Sequence, residues 1–125
     1  MVQLIETATR IPVPGGKVID EYVGRVNTGE DALSVAHMVA PAGWAEPAQR
    51  PEFDEITLVL RGCVRVETDE GVLEVRAGQA VVTRAGERVR YTTTDEGGEY
   101  VAICRPAFGP ELAHREPDPA HHDPE

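Results

Sequence analysis

At 125 residues and 13.6 kDa, the chain is long enough for one domain with a real core and leaves no room for a second. Its formal charge of -10, from 22 acidic residues against 12 basic, repels phosphate backbones and anionic lipid, so neither nucleic acid nor a membrane is an expected partner. The apolar share of 41% is too high for a disordered chain, and the few aromatics leave the core to Val, Leu, Ile and Ala, whose branched members favour strands.

Residues 1–17 read as an N-terminal arm that ends in the turn-forming Pro12, Pro14, Gly15 and Gly16. Met1 to Arg10 lacks the basic start and apolar stretch of a signal peptide, and no apolar run reaches the length of a membrane span. A cytoplasmic protein is expected on that basis, with Cys63 and Cys104 as thiols. Short β-type runs follow at Val18–Val23, Leu33–Val39, Glu55–Leu60, Cys63–Glu67, Val72–Arg76, Ala80–Thr83, Arg88–Thr93 and Glu99–Cys104. Turn signals separate them, among them Asn27 and Gly29, Pro41 and Gly43, Asp69 and Gly71, and Gly97 and Gly98. Short strands at close spacing predict an all-β barrel or sandwich over residues 18–110, and no useful helical period is present. Residues 111–125 turn to Pro, Asp, Glu and His, which predicts an acidic, flexible tail carrying His121 and His122.

Two of the strands carry information in their faces. Cys63–Glu67 alternates, with Val64 and Val66 on one side and Arg65 and Glu67 on the other, as a half-exposed strand does. Glu55–Leu60 places Ile56, Leu58 and Leu60 on one face and Glu55, Thr57 and Val59 on the other, so both faces are expected to be covered. One would look into the barrel, with Glu55 at the start of that inward face. The other would meet a second layer or a partner subunit, and a homodimer is expected.

The stretch Gly43 to Gly62 has the spacing of the first cupin motif: Gly43, then Gln49, Pro51, Glu55 and Gly62 at the motif's intervals. Gly78, Arg84, Gly86 and Val89 follow the second motif. The chain therefore resembles the cupins over roughly residues 33–106, and the resemblance implies a jelly-roll β-barrel. All three histidine positions of the motifs read otherwise here, as Gln49, Pro51 and Val89. Phe53-Asp54-Glu55-Ile56-Thr57-Leu58-Val59-Leu60-Arg61-Gly62 is similar to the matching segment of the ethanolamine-utilisation cupins, as is the run from Tyr100-Val101-Ala102 to Pro106-Ala107-Phe108. That group also lacks the histidine triad. A shared fold does not transfer an activity.

The resemblance implies a metal held by three imidazoles and a carboxylate, of which this chain keeps only Glu55. A metal-free pocket without a cofactor is therefore expected. The alternative is a rebuilt site that recruits Gln49 with His37, Glu46 or Glu52. An acid directed into an apolar barrel has its pKa raised toward the range useful for proton transfer, which makes Glu55 the leading catalytic candidate. The bland alternative pairs it with His37 or Thr57. Tyr91 shares the parity of Val89 and is expected to face inward, as an acid, a ligand-orienting hydroxyl or a packing residue. His37 is a base or a hydrogen-bonded core residue. Glu46, Gln49 and Glu52 read as polar anchors of a small ligand or as loop solvation, Trp44 as a cover at the barrel mouth, and Cys104 as a lining thiol. Arg84, Arg88 and Arg90 suit a surface better than a bound anion. No phosphate-cradling glycine loop and no nucleophile elbow is present.

Three functions fit these residues. One is a metal-independent pocket for a small organic ligand, with or without isomerisation or elimination chemistry by Glu55. The second is a metalloenzyme with a rearranged site. The third is a non-catalytic accessory or sensor domain.

Overall fold

The computed structural model describes residues 2–117. Seven strands run β1 (Thr9–Ile11), β2 (Val18–Val23), β3 (Ser34–Ala40), β4 (Asp54–Thr68), β5 (Gly71–Arg76), β6 (Ala80–Thr83) and β7 (Val89–Arg105), followed by one helical turn, α1 (Pro110–Ala113). The order across the sheet is β1-β2-β3-β7-β4-β5, with β6 on the first half of β4, and every pair is antiparallel. Among the described residues no helix is long and apolar enough to cross a membrane.

The long strands β4 and β7 carry the architecture. They pair from Asp54↔Arg105 to Thr68↔Val89, and register shifts fall between Val59 and Arg61 and between Gly62 and Val64. Each absorbs two of the expected runs. The glycines that read as breaks are bends inside continuous strands: Gly62 has φ +77° and Gly97 φ +67°, which side-chain-bearing residues resist. A Cβ on Gly62 would stand 2.2 Å from the Gly97 carbonyl oxygen, so the two strands bend together only because both positions are bare. The bulge also switches parity. Before it, Thr57 and Val59 are buried; after it, Val64 and Val66 are buried.

The main core joins Val59, Val64, Val66, Val75, Val89, Tyr91, Tyr100, Ala40 and Trp44. A smaller cluster of Phe53, Cys104 and Ala113, with Phe108 and Leu112 against it, fastens the segment after β7 to the barrel. Cys63 and Cys104 are buried, free thiols.

The chain ends carry more structure than their composition shows. The N-terminal arm contains a strand, because β1 pairs with β2 from Thr9↔Glu21 to Ile11↔Ile19. The tail expected from residue 111 does not begin there. Ala113 is fully buried, the Glu52 amide donates to the Leu112 carbonyl at 2.8 Å, and the Glu116 amide donates to the Ala48 carbonyl at 2.8 Å. Arg88 clamps Glu116 with two hydrogen bonds. Composition marked the stretch as polar, but Leu112 and Ala113 supply enough apolar surface to dock it. His121 and His122 lie outside the described residues.

Candidate functional site

The inner parity of β4, β7 and β3 converges on a cavity of about 240 Å³. β4 contributes Glu55, and β7 contributes Tyr91, Tyr100 and Cys104. The loop before β4 brings in Glu46 and Gln49, and the two chain ends bring in Lys17 and Arg115. The remaining wall is apolar, including Ile19, Ala36, Met38 and Ala102.

Burial sets the electrostatics. It raises the Glu55 pKa to about 7, with the nearby Glu46 carboxyl pushing the same way and Lys17 opposing. The Glu46 carboxyl is also raised by burial, against the pull of Lys17, Arg115 and Arg90. The Lys17 ammonium is driven down by burial, while Glu46 and Glu55 draw it up. Its Nζ stands 4.2 Å from the centroid of the Trp44 ring and 5.4 Å from that of Tyr100, which supply cation–π contact in place of an ion pair. Arg115 closes one side, its Nη2 3.5 Å from Glu46 Oε2 and its Nε donating to Gln49 Oε1 at 3.4 Å. Tyr91 shares a 2.9 Å hydrogen bond with Thr83, and burial raises both the Tyr91 and Tyr100 phenols well above their ordinary value. Burial likewise raises the Cys104 thiol, which keeps it protonated and a poor nucleophile.

Glu55, Tyr91, Gln49, Glu46 and Cys104 are therefore brought together on one cavity. Trp44 is buried in the core and reaches the site through Lys17. Thr57 is fully buried beside Glu55, where it favours the carboxylate; its Oγ1 nevertheless lacks a hydrogen-bond partner at ordinary distance.

Two candidates fall elsewhere. His37 is on the opposite face of β3 from Ala36 and Met38, and its Nε2 lies 2.8 Å from Glu99 Oε2 on the outer surface. With apolar residues on both sides of it, the sequence holds no parity cue, and strand alternation turns it outward. Glu52 is exposed and pairs with His114, in front of the docked C-terminal segment rather than in the cavity. Arg84, Arg88 and Arg90 make surface ion pairs with Asp54, Glu116 and Glu67.

Lys17, Tyr100 and Arg115 are the residues that sequence reasoning missed. Lys17 sits one residue before β2 and Arg115 past α1, so no strand pattern points at either. One signal was available: Lys17 is the only lysine in the chain, against eleven arginines.

The metal implied by the motif spacing does not fit these residues. Gln49 offers one amide oxygen already shared with Arg115, and Pro51 and Val89 offer no side-chain donor. His37 and Glu52 face away. Among the described residues no three His, Cys, Asp or Glu side chains gather with metal-holding geometry. Lys17 and Arg115 add positive charge to the space a cation would need.

Solved structures place the architecture. Bacillus subtilis oxalate decarboxylase superposes with a TM-score of 0.77 at 17% identity, over 96% of this chain and 33% of that one. Streptomyces PAC13, in a variant bound to uridine, gives 0.73 at 14% identity over 91% and 88% of the two chains. KdgF from Halomonas sp. gives 0.68 at 15% identity over 80% and 89%. The fold is that of the cupins. At these identities the cupin likeness speaks for the fold alone. No family model matches the chain. A 107-residue stretch is 46% identical to the protein named endoribonuclease YbeY of Myxococcus xanthus (strain DK1622), covering 85% of this chain. The match takes in 36% of that protein, so the chain spans about a third of its length.

Proposed function

We propose that the chain binds a small polar organic molecule in the cavity without a metal, and that Glu55 moves a proton on that ligand. The observation that carries the reading is the placement of Glu55 in a cavity shared with Glu46, Lys17 and Tyr91, where burial raises its pKa to about 7. Such a group is populated as both acid and base at neutral pH, the condition under which general acid–base catalysis works best. The cavity volume of about 240 Å³ lies just below the usual 300–1,000 Å³ of ligand pockets, which suits a small metabolite. Isomerisation and elimination are the reactions that one shuttling carboxyl beside a tyrosine can serve. The likeness of residues 53–62 to the ethanolamine-utilisation cupins supports a relationship to that group and names no substrate.

A metabolite panel read by melting temperature tests the binding. A compound that stabilises the wild type and is converted by it should still bind Glu55→Gln and no longer be converted. Conversion retained in Glu55→Gln would end the mechanism. Elemental analysis after removal of residues 118–125 tests the metal reading. Near-stoichiometric Mn, Fe, Ni or Zn lost in Glu55→Ala would replace it with a rebuilt metal site.

The Myxococcus relative supports a second reading, a ligand-binding accessory domain. Within that longer protein, RNA handling would fall to the part this chain does not span, consistent with the charge of -10 here. A compound that raises the melting temperature and is recovered unchanged favours this reading.

A further inference from the structure

Lys17 is the only lysine among 125 residues, while eleven arginines supply every other side-chain cation apart from histidine. Most of the arginines serve the surface, in carboxylate pairs such as Arg10–Asp20, Arg65–Glu74 and Arg88–Glu116, while Arg115 reaches the cavity and pairs with Glu46 there. A guanidinium stays charged and is not a nucleophile, whereas an amine that can shed its proton is one. The one such amine on a side chain lies in the cavity, against Trp44 and Tyr100. Among the described residues no carboxylate forms an ion pair with it within 4 Å, although Glu46 and Glu55 share its cavity. Burial working against the ammonium form is consistent with an amine held ready to lose its proton.

We propose that Lys17 captures a small aldehyde or ketone in this cavity as an imine, with Glu55 as the proton donor. The inference rests on the cavity being the ligand site. The neutral Nζ attacks the carbonyl carbon, a C–N bond forms and the C=O π pair moves to oxygen. A proton passing from nitrogen to that oxygen gives a neutral carbinolamine. The hydroxyl then takes a proton from the Glu55 carboxyl and leaves as water, and the nitrogen lone pair closes the C=N bond. The products are a protonated imine, a Glu55 carboxylate and water. Nothing is oxidised or reduced and no co-reactant is needed. The iminium acidifies the adjacent carbon, and Glu55, now a base, can remove that proton. The Lys17 imine thus gives the isomerisation or elimination chemistry its electron sink. Trp44 and Tyr100 keep the Nζ in place, and Arg115 holds Glu46 to one side.

The full chain is incubated near neutral pH with pyruvate or with propanal, each with and without sodium cyanoborohydride, and analysed by intact mass and peptide mapping. The α-amino group is the only other primary amine and serves as the internal reference. The expected result is one reduced adduct at Lys17 that needs the cyanoborohydride, forms faster than that at the α-amino group, and is absent in Lys17→Arg. Its formation should slow by about 100-fold in Glu55→Gln, the scale of a lost general acid. Modification confined to the α-amino group with both probes would overturn the proposal, as would Lys17 reacting no faster than that reference. Both of these results are read in the wild type, so neither depends on a variant folding. A panel compound that still stabilises Lys17→Arg, with no Lys17 adduct in the wild type, would remove the imine and leave the binding reading standing. A Lys17 adduct unaffected by Glu55→Gln would keep the amine and remove Glu55 as its acid.

Discussion

A carboxyl in a cavity that also holds Glu46 binds its proton more tightly than it does in the unfolded chain. The titratable and polar groups that act on or with Glu55 are Lys17, Glu46 and Arg115 in the cavity, Thr57 on its own strand, and Tyr91, Tyr100 and Cys104 on β7. Its folded pKa is about 7, above its ordinary 4.5. As pH rises from 4.5 to 7 the unfolded chain ionises first, so stability is lost through that window and the whole penalty is present above it. Glu55→Gln should therefore be more stable than the wild type at pH 8, by up to about 3 kcal/mol, and no more stable below pH 4. Denaturant melts across pH decide it, and a difference that does not vary with pH would give Glu55 an ordinary pKa. Gaining stability by removing a group is what a residue kept for its chemistry shows. Thr57 offers a companion experiment. Its Oγ1 is buried without a partner, so Thr57→Val should be neutral or stabilising by about 1 kcal/mol in the free protein. A loss of more than about 1 kcal/mol would mean that the hydroxyl is already satisfied.

At the scale of elements, β4 and β7 stand or fall on their paired glycines. Gly62→Ala puts a methyl 2.2 Å from a backbone oxygen at φ +77°, where L-residues are strained by about 1–2 kcal/mol before any clash. The variant should lose more than about 2 kcal/mol in denaturant melts or fail to fold, whereas Gly78→Ala, with open space around it, should lose only the conformational strain. The sequence shows these glycines plainly and leaves their meaning open, because a glycine that ends a strand and one that lets it bend look alike from one chain. The faces of Cys63–Glu67 were readable because one side is polar, whereas Glu55–Leu60 was expected to be covered on both faces: Glu55, Thr57 and Val59 do turn inward, but Ile56, Leu58 and Leu60 are left 40–46% exposed on the outer face. His37 was unreadable because its strand is apolar on both sides. Lys17 and Arg115 were unreadable for another reason. Lys17 enters the cavity from the turn between β1 and β2, and Arg115 from beyond α1, whose docking depends on Phe108 and Ala113 meeting Phe53 far away in sequence.

Among the described residues, the outer face of β4 and β6 carries an apolar surface to explain. Ile56, Leu58, Leu60 and Val82 are each 40–48% exposed on the outer face of β4 and β6, beside Val101 and Ile103 of β7. Contiguous apolar surface of this kind marks an interaction site. Glu99 with Arg61 and His37 lies at its rim as a cluster of charged and polar groups. A homodimer closed on this face is the expected assembly, with light scattering giving twice 13.6 kDa. Salt tells what holds it. Each copy carries -10, so apolar burial must overcome repulsion between like-charged bodies, and added salt screens that repulsion. Dimerisation should strengthen from low to moderate salt and be lost in Leu58→Glu, which buries a charge at the centre of the contact. Weakening with salt would shift the bond to the rim pairs. A monomer at every salt concentration would leave the face to a different chain.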